Sequence, residues 1–488
     1  MTFKTTLLSS LLTLIALPAL STPAFAETPS DASFESRLAR ELGVAGGLTA
    51  DDLAARAVAT SYTIEARRSD VSAADATVSR ASAGYIPKLT LSARYSRLSK
   101  TKGDSAGSLV VAPLNPNGVL PANATLVKVP LEFDTLPDNY SIGASLQVPV
   151  SDYFLRVSKS ESQAEFAKSA AEQNLISAER AAATDARGLY YSWVGARLSV
   201  VVAEVALEQA RAHGEDVRHA VDAGTASKAD ALRVESRIAE SERVLDAARH
   251  SAADLEEQIR IARHDAPEQS YAIGEDVRGE LPQSELPERL PDLSQYAFSH
   301  RPELAAAKAR IAATAKSAEI ERAAMFPRLD LVANAQYANP NSRVFPQEEK
   351  FRGSWDAGAQ LTWVISDIPG ANSAARAASA SSAAAQAEAR ALEDQVRRQV
   401  SAALQSLLDA RAAIRTSEHG LAASEESYRV RRALFQNGRA TSTELLDAEL
   451  DLTQARRSAL NARLELRMAR ARLDFAVGRG TNRASQGG

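Results

Sequence analysis

AGYIPKLTLSARY, starting at Ala83, returns in altered spelling as AMFPRLDLVANAQY at Ala324, so that Pro87 lines up with Pro327 240 positions later. Leu89 and Leu91 align with Leu329 and Leu331, and Tyr95 lies near the place of Tyr337. In both copies an Ala-rich charged stretch stops at the proline and strict apolar–polar alternation follows. Proline turns the preceding residue away from helix, and a period of two marks a half-buried strand. The chain therefore makes the same switch from helix to strand twice.

The repeat continues on both sides. SIGASLQVPVSD, from Ser141, matches DAGAQLTWVISD, from Asp356, pairing Gly143 with Gly358, Leu146 with Leu361 and Ser151-Asp152 with Ser366-Asp367. Each copy thus holds two strands joined by a loop. The spacing predicts strands at about 88–98 and 140–150, then at about 328–338 and 353–366, with loops over 99–139 and 338–352.

Long helices should follow, at about 153–223 and 371–437. Ala186, Leu189, Trp193, Ala196, Val200, Ala203, Leu207 and Ala210 step by threes and fours, and shifting by 214 gives Val400, Ala403, Leu407, Ala410, Ile414, Ser417, Leu421 and Ser424. A seam in one register in both copies, rich in small residues, fits tightly packed coiled coils. About 70 residues at ~1.5 Å each would span ~105 Å. Each long helix then meets a glycine, Gly224 or Gly438, suited to a helix C-terminus. Ser227 and either Ser442 or Thr443 are candidate caps for the return helices, which run to about 264 and 476. Those are too short to match the outgoing ones, so the helices at about 49–84 and 301–326 are expected to stack on them end to end. Residues 265–300, interrupted by prolines, read as a connector around the waist.

Composition narrows the setting. Lys4, the apolar run 7–20 and Ala24-Phe25-Ala26 form a secretory leader, which places residues 1–26 in a signal peptide. Removing it changes the formal net charge from −4 to −5, which gives no support to nucleic-acid binding. The chain has no cysteine, which excludes disulfides, thiol chemistry and an acylated N-terminal cysteine. No later run of ~18 apolar residues predicts a membrane helix, but barrel strands escape such windows. The six histidines are scattered, and no nucleophile elbow, phosphate loop or metal motif points to an enzyme or a cofactor.

The order HRPEL (300–304), FPRLDL, strand pair, Ser-Asp exit, heptad helix and G-x5-E-L-L-D-A turn resembles the TolC-type outer membrane factor family, also called outer membrane efflux proteins. The resemblance covers both halves, 27–264 and 301–478, leaving a short disordered tail at 479–488. It implies an α+β membrane protein: a trimer with four strands per subunit in one 12-stranded transmembrane antiparallel β-barrel, continued as a long α-helical coiled-coil barrel across the periplasm. It also implies a non-enzymatic duct in the outer membrane for efflux or type I secretion, in contact with outer membrane lipid. The expected partners are a periplasmic adaptor and an inner-membrane pump of the RND, ABC or MFS type. Four strands alone leave two edges unpaired, which lipid does not tolerate, whereas three copies of two hairpins remove every edge.

The resemblance also suggests roles for individual residues. Glu444 and Asp447, one turn apart on the second return helix, match the family's acidic periplasmic gate, and Asp230 is the counterpart in the first repeat. Acids equally suit any solvated helix start. Gly224, Leu232, Gly438 and Leu446 mark the adaptor-docking tips, although hairpin packing would also account for the leucines. Pro87 and Pro327 mark where the chain passes into the barrel. The alternative reading is a soluble periplasmic coiled-coil adaptor or scaffold without a barrel.

Overall fold

The computed structural model describes residues 29–99, 107–130, 136–281, 286–287, 289–345 and 347–479. The leader, 1–26, and all but the first residue of the 479–488 tail lie outside these. Helices α1 (Pro29–Glu41), α2 (Ala50–Thr60) and α3 (Tyr62–Ser82) precede strand β1 (Lys88–Arg97). Strands β2 (Ser108–Val111), β3 (Val127–Pro130) and β4 (Asp138–Val148) follow. A short helix α4 (Val150–Asp152) and a π turn (Tyr153–Val157) lead into α5 (Ser158–Asp222), which returns as α6 (Lys228–Arg263). The second half consists of α7 (Leu290–His300), α8 (Pro302–Ala323), β5 (Arg328–Asn339), β6 (Arg352–Thr362), α9 (Ile368–Gln436) and α10 (Ser442–Ala476).

The two duplicated strand pairs merge into one antiparallel sheet in the order β1-β4-β5-β6. Each strand continues a helix: α3 leads into β1, β4 into α5, α8 into β5, and β6 into α9. In the half near the sheet α5 packs between α3 and α8, and α8 against α9; in the far half α5 packs between α6 and α10, and α10 against α9. The long helices α5 and α9 therefore run the whole length, while each neighbouring lane is made of two shorter helices stacked end to end. At one junction Arg56 Nε and Thr60 Oγ1 donate to the carbonyls of Arg263 and Ala262, both at 3.1 Å, and Tyr62 packs on His264. At the other, Arg301 Nη1 donates to the Ala476 carbonyl at 3.4 Å and to Gln399 Oε1, while the guanidinium also pairs with Glu303 at 3.1 Å. The HRPEL segment thus ties α8, α9 and α10 together, and Glu303 reaches α5 through Ser177.

The main core lies at this waist. Trp193 and Tyr190 of α5 are fully enclosed by Leu38, Leu53, Ile259, Ile273 and Val277. The connector crosses here: Leu48 and Ile273 form a parallel bridge. A Cβ on Gly47 would lie 2.7 Å from the Gly274 nitrogen, and one on Gly274 2.4 Å from the Gly47 oxygen, so only glycine allows this crossing. Of the heptad seam, Ala186, Trp193, Ala203, Leu207 and Ala210 are buried in α5, and Val400, Ala403, Leu407 and Ala410 in α9.

Several boundaries differ from the sequence expectation. The single helix expected at 49–84 breaks at Ser61, whose extended backbone (φ −66°, ψ 120°) ends α2 and starts α3. The connector contains a regular helix, α7, because Pro291 falls in the first turn, where no amide hydrogen is needed. β6 ends at Thr362 rather than 366, and both Ser-Asp exits lie in helical turns. Within 99–139, read as loop, β2 and β3 pair through Leu109, Val111, Val127 and Val129.

Candidate functional site

The molecule presents two surfaces with something to do, one at each end. The first is the sheet. Directly opposed residues share a face, and the rows across it are uniform. One face carries Leu91–Ala144–Ala335–Trp355 and Leu89–Leu146–Ala333–Ala357. The next row, Thr90–Ser145–Asn334–Asp356, points to the other side and is entirely polar. The apolar face is bare: Leu91 is 76 %, Leu361 68 % and Trp355 77 % exposed. Aromatic side chains gather at both ends of it. Tyr95, Tyr140, Tyr337 and Phe351 touch ring to ring at the far end, with centroids 5.0–6.3 Å apart. Tyr85, Tyr153, Phe154, Phe326 and Trp363 lie at the helical end. Strands of 10–12 residues with apolar-out, polar-in alternation and two aromatic girdles match a transmembrane barrel wall. Pro87 and Pro327 each immediately precede a strand, β1 and β5. The two hairpins are locked at this level, because Ser151 Oγ accepts from the Leu329 amide at 2.9 Å and Arg328 pairs with Asp152 at 3.4 Å.

The second surface is the pair of helical tips. Gly224 (φ +74°) and Gly438 (φ +66°) end α5 and α9 in the left-handed conformation. The amides of Thr225 and Arg439 reach back to the carbonyls of Ala220 and Leu434, both at 2.8 Å. This is a Schellman turn, built the same way twice. Capping boxes then start the return helices. The Asp230 amide donates to Ser227 Oγ and the Ser227 amide to Asp230 Oδ2, while Thr441 and Glu444 make the same exchange at 3.2 and 2.9 Å. The cap of α10 is therefore Thr441, one residue before Ser442 and two before Thr443, the candidates read from the sequence. Ser442 is instead buried.

Two of the three proposed gate acids are thus engaged with their own helix starts. Hydrogen bonds from the Thr441 amide and hydroxyl hold the Glu444 carboxyl below the usual carboxylate range, with help from Arg431 at 3.3 Å. The Ser227 hydroxyl and amide do the same for Asp230. Asp447 is exposed. The leucines diverge: Leu232 is 57 % exposed, but Leu446 is buried against Val217 and Val234, so in this chain it packs the hairpins together.

Three consecutive residues of α10 grip three different helices. Ser442 Oγ lies 3.1 Å from His213 Nε2 on α5, Thr443 Oγ1 accepts from Arg233 on α6, and Glu444 pairs with Arg431 on α9. Nothing in the sequence marks His213 for this, since its partners lie 229 and 236 positions away. Among the described residues no cluster of His, Asp and Glu could hold a metal ion, and no helix is long and apolar enough to cross a membrane.

The outer membrane efflux protein family matches the chain over residues 53–263 and 293–479. Among solved structures, the outer-membrane channel OprN superposes with a TM-score of 0.71 at 18 % identity, covering 93 % of each chain. The outer membrane protein VceC of Vibrio cholerae gives 0.70 at 16 % identity, over 88 % of this chain and 96 % of that one. The MtrE outer membrane channel of Neisseria gonorrhoeae, in its open state, gives 0.69 at 18 % identity over 88 % of each. No curated protein sequence matches the chain.

Proposed function

The chain belongs to the outer membrane efflux protein family and is an outer-membrane channel subunit of a tripartite efflux system, and we propose that three copies close one continuous duct from periplasm to exterior. The sheet lies in the outer membrane and the helices in the periplasm. One observation carries the trimer: an apolar sheet face, bare and flanked by aromatic girdles, ends in two edge strands, β1 and β6, that find no partner strand within the described residues. β1 runs away from the helices and β6 towards them. A head-to-tail ring therefore pairs β6 of one copy with β1 of the next in the same antiparallel sense. Three copies give 12 strands, and the polar rows line the lumen. A soluble scaffold would leave the apolar face in water.

At the other end a periplasmic adaptor docks on the tips around Gly224 and Gly438, with Leu232 offered to it. An inner-membrane pump supplies the energy for efflux or type I secretion, the members of the family being channels rather than enzymes. The acids at the start of α10 narrow the periplasmic mouth. Because Glu444 divides its oxygens between its cap and Arg431, Asp447 supplies most of the field there, with Asp230 below it.

Single-channel recording in a planar bilayer tests this reading. Purified protein should need detergent, run at three chain masses and give cation-selective pores. Asp447→Asn should lower the cation selectivity more than Glu444→Gln does. A monomer stable without detergent and giving no current would sink the duct and leave the periplasmic scaffold.

A further inference from the structure

The polar face of the sheet is not evenly charged. On it β1 carries Lys88 and Arg94, β5 carries Arg328 and Asp330, and β6 carries Arg352 and Asp356, while β4 contributes neutral residues only. Both acids are matched where they stand. Asp330 accepts from Arg328 at 3.1 Å, and Asp356 accepts from Asn334 at 2.9 Å and pairs with Arg343. Arg352 is answered by Glu348 at 3.0 Å. The two cations of β1 differ: both are exposed, and neither forms an ion pair among the described residues.

Arg94 is also given room. Ser141 stands opposite, Asn139 and Gly143 lie on the diagonals, and Ser92 and Ser96 flank it along the strand. These short neutral side chains leave space above the wall for the guanidinium. Arg97, by contrast, lies on the apolar side of the same strand and pairs with Asp138 at 3.4 Å.

With the polar face lining the lumen of the trimer proposed above, on which this inference rests, threefold symmetry turns each cation of β1 into a ring of three. Six residues at ~3.4 Å each separate the rings by ~20 Å along the strand, with Lys88 towards the periplasm and Arg94 at the outer end. Twelve strands ~4.8 Å apart and tilted by ~40° hold the backbone about 12 Å from the axis, so side chains as long as arginine enter the path of the cargo. Like charges facing one another in a passage with low-dielectric walls focus a field that draws anions in. A guanidinium grips the oxygens of a carboxylate or phosphate in pairs, which a lysine does not.

We propose that the Arg94 ring, backed by Lys88, is a binding step for oxyanions in the barrel, so that the duct attracts cations at its acidic periplasmic mouth and polyvalent carboxylates or phosphates at its exit. Arg94 is then a specificity-determining residue for anionic cargo.

Citrate, a tricarboxylate, serves as the probe. It is added to each side in turn of a bilayer holding single full-length trimers, and the concentration that halves the open-channel current is read. The wild type should be blocked from the barrel side at the lower concentration, and less strongly as salt rises. Arg94→Gln should raise that concentration about tenfold, the worth of one lost charge-assisted hydrogen bond, and Arg94→Lys and Lys88→Gln should raise it less. Arg97→Gln, on the lipid side of the same strand, should leave it unchanged. A wild type indifferent to citrate, an unaltered block in Arg94→Gln, or an equal shift in Arg97→Gln overturns the proposal. So does an Arg94→Gln chain that loses its trimer while the remaining pores block as before, since Arg94 would then tie neighbouring copies together. Pores that still answer to Asp447→Asn but show none of these Arg94 effects leave the duct standing and remove only its anion site. Protein that forms no pores removes both.

Discussion

At the scale of single residues, the tips show how one side chain can serve two purposes. Asp230 and Glu444 are both third residues of a capping box, a demand any helix start can make. Their hydrogen bonds hold both carboxyls below the ordinary range. A depressed carboxyl stabilises the fold above its unfolded value and loses that contribution only as pH falls through the folded value. The caps therefore stay charged and intact around neutral pH and fail only in acid, as pH falls through their lowered values. Hydrogen exchange at 442–445 should differ between wild type and Glu444→Gln at pH 6 to 8, with faster exchange in the variant, and converge only in acid, as pH falls through the lowered Glu444 value.

At the scale of elements, the sheet divides its residues by face. Leu91 and Leu361 lie on the bare apolar side, and Thr90 and Gln360 on the polar side of the same two strands. An arginine facing lipid near the middle of the bilayer costs about 2–4 kcal/mol, whereas the same residue in a lumen meets water. Leu91→Arg and Leu361→Arg should sharply reduce the trimer recovered from outer membranes. Thr90→Arg and Gln360→Arg should leave recovery near wild type while changing single-channel conductance. Equal losses from both pairs would mean that the faces do not divide into lipid and lumen. The helices are sorted by length instead. α5 and α9 span the body, and their partners are assembled from α3 with α6 and α8 with α10, so every lane needs a junction at the waist. The buried aromatics, Arg301 and the Gly47–Gly274 crossing all fall there.

At the scale of the whole molecule, one chain is an open strip four lanes wide. Its sheet edges are β1 and β6, and α3, α6 and α9 border the helical part. Closure must come from other copies by a head-to-tail contact, which ends in a ring when the rotation per copy divides a full turn. The absence of native cysteine makes this easy to test. A cysteine at Thr90 on β1, paired in turn with single cysteines along β6, should give oxidised species of two and three chain masses for a few adjacent β6 positions only. Cross-linking that is equally efficient at every β6 position, or at none, would argue against the β1–β6 seam.

The duplication, the switch from helix to period two at Pro87 and Pro327, and the glycines ending α5 and α9 were legible in the sequence because each rests on local rules: backbone sterics, alternation and helix termination. Even the end-to-end stacking of shorter helices followed from residue counts and the rise per residue. Local rules gave less at the places where distant segments decide. Ser61 breaks a pattern that reads as one helix, and Thr441 rather than its neighbours caps α10, since Ser442 is drawn inward to His213. Leu446 looked like a docking residue by its equivalence to Leu232, yet one is buried and the other exposed, because α10 packs against α5 while α6 lies at the border of the strip. His213, Ser442 and Glu449 carry no periodicity or motif that would join them. Sequence alone determined the repeated unit, since each turn of helix and each alternating strand is specified by its near neighbours. Which face of each helix is covered, and which polar side chains meet out of reach of solvent, depended on residues more than 200 positions apart being brought within 3.3 Å, and only the tertiary structure decided that.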